Sequence, residues 1–291
     1  MRLVHLTDAH LTGLEQHSFW SLRGKRRLGY LSWWRKRRHE LRGEVLQQVS
    51  AAVIALRPDV IAITGDLVHL GLADEIDAAC IWLDSLARHA RVVLVPGNHD
   101  YYQADSMRHV RAGWADYLGL PADNANHYPV SFKHGQCLFI GLCSAYPSPF
   151  WSAAGQLGQA QINRLRQMLD QSRSYFRCVL IHHPPMPGVT SARKALVDAA
   201  ELSELLEHYG VELVMHGHLH HNSELLLGHR TRVLATAAAS SRSHHAPASF
   251  RVLDIETDNG GWTIATSLYA LDAAACISIG QQARWSYVPV H

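Results

Sequence analysis

Paired cysteines are missing from this chain. Its five cysteines, Cys80, Cys137, Cys143, Cys178 and Cys276, are scattered, and no two form a CxxC. The odd count, with Cys178 inside an apolar run, favours reduced thiols over a disulfide framework and argues against a cysteine zinc site. Also missing is any apolar run near the ~18 residues that a membrane-spanning helix needs. The first ten residues hold no long apolar core and already include Asp8, so no signal peptide is expected and the protein is expected to be cytoplasmic. A strong net charge is absent too, since +2 over 291 residues points to no partner. At 47% hydrophobic the chain has ample core for one large domain or two small ones. There is no internal repeat and no clear linker, and β-α alternation runs through most of the chain. A single domain over 1–291 is therefore expected.

The charge is unevenly placed. Between Arg23 and Arg42 stand nine basic residues and one acid, Glu40, which leaves the rest of the chain net negative. Within this segment, about 14–42, Phe19, Trp20, Leu22, Leu28, Tyr30, Leu31, Trp33 and Trp34 interleave with the charges. Basic residues mixed with Trp and Tyr suit an anionic membrane interface, here over residues 19–38. A solvated segment whose aromatics cover the body of the fold is an equal alternative. A nucleic-acid patch is the least favoured of the three.

Five apolar runs end alike. Val92–Val95 stops at Pro96-Gly97 and delivers Asn98-His99-Asp100. Arg2–Thr7 ends in Asp8-Ala9-His10, and Asp59–Thr64 ends in Gly65-Asp66. Arg177–Ile181 ends in His182-His183-Pro184-Pro185, and Val211–Met215 ends in His216-Gly217-His218-Leu219-His220. Such runs read as strands buried on both faces, in a sheet covered by helices. In open α/β sheets, ligand sites lie just beyond the carboxyl ends of the strands. Any one of these endings, Gly65-Asp66 for instance, is an ordinary turn. Five together are hard to explain as packing.

Helical spacing predicts helices over Leu41–Leu56, Ala73–Arg88, Asp105–Leu118, Gln156–Gln171 and Leu196–His208, with a loop over 121–126. Val130–Phe132 and Cys137–Leu142 read as strands joined through Lys133-His134-Gly135. Consecutive late strands are predicted at Leu225–Leu227, Arg232–Thr236, Phe250–Ile255 and Trp262–Leu268, with a small, His-rich loop over Ala237–Ser249.

Asp8, His10, Asp66, Asn98, His99, His182, His218 and His220 are too many donors for one ion. Carboxylate and imidazole ligands in this number suit two divalent ions ~3.5–4 Å apart sharing a bridging carboxylate. Two such ions would attract an anionic phosphate and lower the pKa of a bound water to ~7. A nearby imidazole that is not a ligand would orient the phosphate or protonate the leaving oxygen.

In order and type these residues resemble the calcineurin-like metallophosphoesterases, whose D-x-H, GD, GNH[DE], lone H before Pro and GHxH all stand here. The resemblance spans Asp8 to His220. It implies an α/β fold, a four-layer α/β/β/α sandwich of two mixed sheets flanked by helices. It also implies a first metal held by Asp8, His10, Asp66 and His220, with Asp66 bridging to a second held by Asn98, His182 and His218. His99 would be the catalytic imidazole and Asp100 would hold it in place. His182 is preferred to His183 because the family spacing is H-x-P. His69 stands where a GDxxD form has Asp, a position that is not a family ligand. Family metals are Mn, Fe, Zn, Co or Ni, with Mn favoured here. The implied reaction is hydrolysis of a phosphodiester or pyrophosphate by in-line attack of a metal-bridging hydroxide.

Fold does not choose the substrate. Size and His182-His183-Pro184-Pro185 are similar to the bacterial cyclic nucleotide and glycerophosphodiester branch. The basic, Trp-rich segment is more similar to lipid A pathway UDP-diacylglucosamine pyrophosphatases, which are peripheral membrane proteins at the inner face. The expected partner is thus a small-molecule or lipid phosphoester, and a nuclease ranks well below both. A non-catalytic metal-bound scaffold is disfavoured by the intact His99.

Overall fold

The apolar, β-branched runs form strands because both of their faces find apolar partners. The computed structural model describes residues 1–11, 13–121, 128–258, 261–271 and 277–288. β1 (Arg2–Leu6), β2 (Val60–Ile63) and β3 (Arg91–Leu94) run parallel at one side of the first sheet. β10 (Ser249–Asp258), β11 (Gly261–Leu271) and β12 (Ile277–Tyr287) continue it antiparallel, in the order β12-β11-β10-β1-β2-β3. The second sheet holds β4 (Val130–His134), β5 (Cys137–Gly141), β6 (Phe176–Leu180), β7 (Leu213–His216), β8 (Ser223–Leu227) and β9 (Thr231–Ala235). Its order is β4-β5-β6-β7-β9-β8, parallel in the middle with an antiparallel strand at each edge.

Strand alternation sorts the core into three layers of contact. Leu3, Val60, Ala62, Phe139, Leu180 and Met215 meet between the two sheets. Val4, Leu6, Ile61 and Ile63 face away from that interface, onto α3 (Gly43–Ala55) and α4 (Ala73–Ala87) through Val49, Val53, Ile76 and Leu83. On the far side, Ile140, Val179 and Val214 pack against Ile162, Leu165, Leu202 and Leu206 of α7 (Gln159–Asp170) and α8 (Ala199–Tyr209). The result is a four-layer α/β/β/α arrangement of two mixed sheets.

Several boundaries differ from the sequence expectation. The helix predicted over Asp105–Leu118 is two, α5 (Ala104–Gly113) and α6 (Ala115–Leu118). The break falls after Gly113, a poor helix former, where buried Trp114 leaves helical geometry and donates its indole N–H to the Ile76 carbonyl at 3.0 Å. The hairpin turn is Gly135-Gln136, because the first strand runs two residues further than predicted, to His134, with Gly135 supplying a positive φ. β12 was not expected at all. Most of the loop predicted over 121–126 lies outside the described residues, as does Cys276. Cys80, Cys137, Cys143 and Cys178 are free thiols.

The basic segment folds back onto the body. It forms α1 (Lys25–Ser32), a π-helical turn over Trp33–Arg37, and the single turn α2 (Arg38–Glu40). Leu14, Leu22 and Trp33 are buried together with Leu70 and Tyr102. Arg26 donates to the Leu70 and Gly71 carbonyls and pairs with Asp105. Trp20 and Trp34, by contrast, stand 79% and 48% exposed. The covering role therefore accounts for Trp33 but not for these two.

Replacing Trp33 by Ala should cost about 3–5 kcal/mol, the usual penalty for truncating a buried Trp. Equilibrium urea unfolding measures it. A loss under about 1 kcal/mol, within the range of surface substitutions, would mean that the segment is not packed as described.

Candidate metal centre and active site

Both sheets point the carboxyl ends of their parallel strands at the same edge of the molecule. The loop after β1 carries Asp8 and His10, the loop after β2 carries Asp66, and the loop after β3 carries Asn98 and His99. From the second sheet, β6 leads into His182, and β7 into His218 and His220. The loops are sewn to one another by backbone bonds. Asp8 N–H donates to the Gly65 carbonyl at 2.9 Å and His10 N–H to the Asp66 carbonyl at 3.1 Å. Two glycines permit the closest approaches. A Cβ at Gly97 would strike the Asp66 carboxylate, and one at Gly217 would strike the Thr7 hydroxyl.

The seven ligands predicted from sequence converge. Asp8, His10 and His220 form one cluster, and Asp66, His182 and His218 form a second, with the donor atoms of each cluster within 4.8 Å of one another. The Asn98 amide oxygen lies 3.2 Å from His182 Nε2, beside the second cluster. The ring bonds fix which nitrogens are available. His10 donates from Nδ1 to the Val68 carbonyl at 2.8 Å, leaving a buried Nε2 with no partner. His182 donates from Nδ1 to the Thr64 carbonyl at 2.6 Å, so its Nε2 faces Asp66 Oδ2 at 3.3 Å. The His218 Nε2 is likewise buried without a partner. Orphaned imidazole nitrogens beside carboxylates are the donor set of a borderline divalent cation, so the residues fit two such ions.

Backbone strain marks the same places. Among the described residues, six non-glycine positions have positive φ: Asp8, His10, Asp66, His218, His220 and Arg57. Five of them are candidate ligands, and Arg57 merely ends α3 ahead of Pro58. Strain collects where surrounding structure holds a site in one geometry.

Electrostatics follow burial and neighbours. Burial raises the Asp8 carboxyl, but the His220 ion pair at 3.0 Å and the Thr7 hydroxyl at 2.7 Å bring it below the usual carboxylate range. Burial, then the surrounding imidazoles and Arg37, holds His10 well below its ordinary value. His182 goes the other way. Burial opposes its charge, yet the Asp66 carboxylate raises it to about 9.

His183 is turned from the centre, with Nδ1 2.8 Å from the Ser144 hydroxyl and Nε2 donating to the Ala153 carbonyl at 3.1 Å. His99 lies beside the clusters, its backbone N–H donating to Asp66 Oδ1 at 2.7 Å. Its ring is not held by Asp100, as the sequence led us to expect. It donates from Nδ1 to the His69 carbonyl at 2.5 Å, leaving Nε2 for the site. Asp100 instead accepts the backbone N–H groups of Gly97, Asp66 and Leu67, each at 2.8 Å, and so positions the turn that carries His99. Burial, with Arg37 and His10 close by, holds His99 well below its ordinary value.

Three contributors escaped the sequence reading. The His69 carbonyl fixes the His99 tautomer, and the His69 ring stacks on His10 at 4.9 Å. Buried Glu75, in the first turn of α4, accepts the backbone N–H groups of His69, Leu70 and Leu72 and so holds that carbonyl in place. A Glu in a helix's first turn was the available signal for this. The third is Arg37, from the basic segment, which lines the site beside His99.

Residues 1–222 match the family model for calcineurin-like phosphoesterases. The chain belongs to that family. Its members typically hold a dinuclear divalent metal centre, and the two clusters give this chain the residues for one. The chain is 30% identical over 173 residues to a 3′,5′-cyclic adenosine monophosphate phosphodiesterase, CpdA, of Haemophilus influenzae, covering 57% of each chain. It is 26% identical over 225 residues to a cAMP/cGMP dual specificity phosphodiesterase of Mycobacterium tuberculosis, covering 76% of this chain and 62% of the relative. The chain thus spans somewhat over half the length of these relatives. Among solved structures, a dimetal phosphatase from Danio rerio superposes with TM-score 0.68 at 12% identity over 99% of both chains. That likeness is one of fold.

Two clefts open from the calcineurin-like site. One of about 450 Å³ is lined by Asp66, His218 and His220 with Arg37. The other, about 320 Å³, runs under α1 past Lys25, Leu28, Tyr102, Phe150 and Arg193. Asn98, His99, Arg37 and Lys194 line both.

Two measurements follow from the ligand geometry. A metal must displace the proton that His182 holds below pH about 9. Manganese binding at pH 7 should therefore release a proton, and the release should fade above pH 9. Calorimetry in buffers of different ionisation enthalpy reads this, and a buffer-independent heat at pH 7 would count against it. Asp66→Asn should lower the bound metal from two ions to one or none by elemental analysis. Two retained ions would refute a bridging Asp66.

Proposed function

We propose that this chain is a dinuclear metal-dependent hydrolase of phosphodiesters, with a cyclic nucleotide as substrate. The observation that carries the reading is the pair of His/Asp clusters with a free His99 Nε2 beside them, at the mouth of clefts lined by Lys25, Arg37, Arg193 and Lys194. The cyclic nucleotide phosphodiesterases among its relatives support the substrate class. Asp8, His10, Asp66 and His220 would hold one ion, and Asp66, Asn98, His182 and His218 the other. Bound there, two divalent ions would activate water for attack on phosphorus and offset the charge of the phosphate. The donor set has no thiolate, which suits Mn, Fe, Co, Ni or Zn, and we take manganese as the working ion.

The chain's own groups do the rest. The cationic walls draw an anionic ester to the site. His99, with Nδ1 committed to the His69 carbonyl, presents an unprotonated Nε2 that can take a proton from the attacking water and pass it to the leaving oxygen. Asp100 and Glu75 pin the two loops that fix this ring, so it needs little reorganisation during reaction.

A second reading, a peripheral-membrane pyrophosphatase of a nucleotide-linked lipid such as UDP-diacylglucosamine, draws on one feature. Exposed Leu28 and Phe150 line the cleft with basic Arg193, exposed Trp151 packs against Phe150, and Trp20 and Trp34 are exposed on the basic 14–42 segment. No helix among the described residues is long and apolar enough to cross a membrane, so contact would be at the surface of an anionic bilayer.

Phosphorus NMR on the manganese-loaded protein, given a cyclic nucleotide and UDP-diacylglucosamine together in mixed micelles, separates the readings. A nucleoside monophosphate from the cyclic ester alone is expected. UMP and an acylated sugar phosphate from the lipid alone would replace the first reading by the second. Neither product, with two ions bound, would leave a metal-bound scaffold.

A further inference from the structure

Five of the nine cations of the basic segment have identifiable partners within the chain, and three more are exposed to water. Arg26 is used up on carbonyls, Ser106 and Asp105. Arg27 donates to the Leu22 carbonyl, Lys25 to the Ser148 carbonyl, and Lys36 pairs with Glu40. Arg38 lies over the Trp34 ring at 4.6 Å and donates to His39. Arg23, Arg35 and Arg42 are exposed, so water satisfies them.

Arg37 is different. Its side chain is only partly exposed, and among the described residues no carboxylate lies at ion-pair distance. Among the described residues, the close polar neighbour of its side chain is His99 Nδ1, 3.3 Å from Nη1. That nitrogen already carries the proton donated to the His69 carbonyl, so two donors face each other and no hydrogen bond forms. A guanidinium with its fork of N–H groups unspent, held against a second donor, needs an acceptor that the chain does not supply.

Its placement is built rather than accidental. Trp33 anchors the π-helical turn in the small core with Leu14, Leu22, Leu70 and Tyr102, and Arg37 closes that turn. Wide turns of this kind recur at functional sites. Arg37 also lines both clefts, together with Asn98 and His99. An anion lying in these clefts against the clusters and His99 therefore comes beside the Arg37 fork.

We infer that Arg37 is a phosphate-binding residue of this site, clamping non-bridging phosphoryl oxygens, and that the 14–42 segment is a wall of the substrate site that delivers it. The inference rests on the phosphoesterase reading above. Planar N–H groups match two phosphoryl oxygens at once, whereas a lysine offers only a point charge. Facing His99, the clamp holds the phosphate against the ring that handles the leaving oxygen.

The test uses the full chain loaded with manganese. Inorganic phosphate binding is measured by calorimetry for the unmodified protein, Arg37→Ala, Arg37→Lys and Arg37→Met, with metal content checked in each. Arg37→Met keeps the apolar stem, so a folding defect in the Ala variant does not decide the outcome. The expected result is two ions per chain throughout, phosphate binding weakened about tenfold or more in the Ala and Met variants, as for loss of a charged hydrogen bond, and partial recovery in the Lys variant. On a diester that the protein turns over, kcat/KM should fall about 100-fold in the Ala and Met variants, the scale of losing one preorganised donor. Phosphate affinity within twofold of the unmodified protein in both Ala and Met variants, with metal intact, overturns the inference. So does an unmodified, metal-loaded protein that binds no phosphate. If no diester is turned over while phosphate binding still depends on Arg37, the phosphodiesterase reading falls and this one stands.

Discussion

One buried carboxylate ties the site together. Asp100 sits after β3, yet its oxygens accept the N–H groups of Asp66 and Leu67 after β2 as well as that of Gly97 in its own loop. A carboxylate taken out of water is costly unless its lone pairs are filled, and here backbone donors fill them. The same loop after β2 accepts backbone bonds from Asp8 and His10 after β1. Three strand ends are thereby locked into one surface, and the second sheet meets it where Gly217 lets the β7 end close on Thr7 and Asp8. The clusters are a consequence of this stitching. The candidate ligands meet because the loops that carry them have already been brought together.

What could be read from the sequence was what residue type encodes. Parallel strands buried on both faces leave apolar runs, and their ends deliver ligands whose chemistry is visible one letter at a time. Asp8, His10, Asp66, Asn98, His182, His218 and His220 were singled out this way as candidate ligands, and the structure gathers them at one edge. What could not be read was what depends on the backbone or on distant packing. The partner that orients His99 is a main-chain carbonyl, which every residue possesses, so His69 carried no signal for it. Asp100 looked like a partner for its neighbour in sequence and turned out to bind backbone more than thirty positions away. β12 escaped because Gly280, Gln281, Gln282 and Arg284 break any alternation. It exists because the β11 edge offers a ladder to pair with.

The basic segment shows why composition alone was ambiguous. A run of Arg, Lys and Trp is equally consistent with a surface for lipid and a cover for the fold. In the structure the segment divides residue by residue. Trp33 and Leu22 are core, Arg26 ties the segment down, and Trp20 and Trp34 face water. Its tethering contacts reach Leu70, Gly71 and Ser106, the same neighbourhood that supports His69 and Glu75. The segment is thus mechanically continuous with the loop that orients His99.

The left-handed backbone at five candidate ligand positions has a consequence for stability. At each of Asp8, His10, Asp66, His218 and His220 a side chain is kept where glycine would be less strained, at on the order of 1–2 kcal/mol apiece. Glycine at these positions would relieve that strain and remove the donors, so on the two-metal reading the site stands at a cost in fold stability.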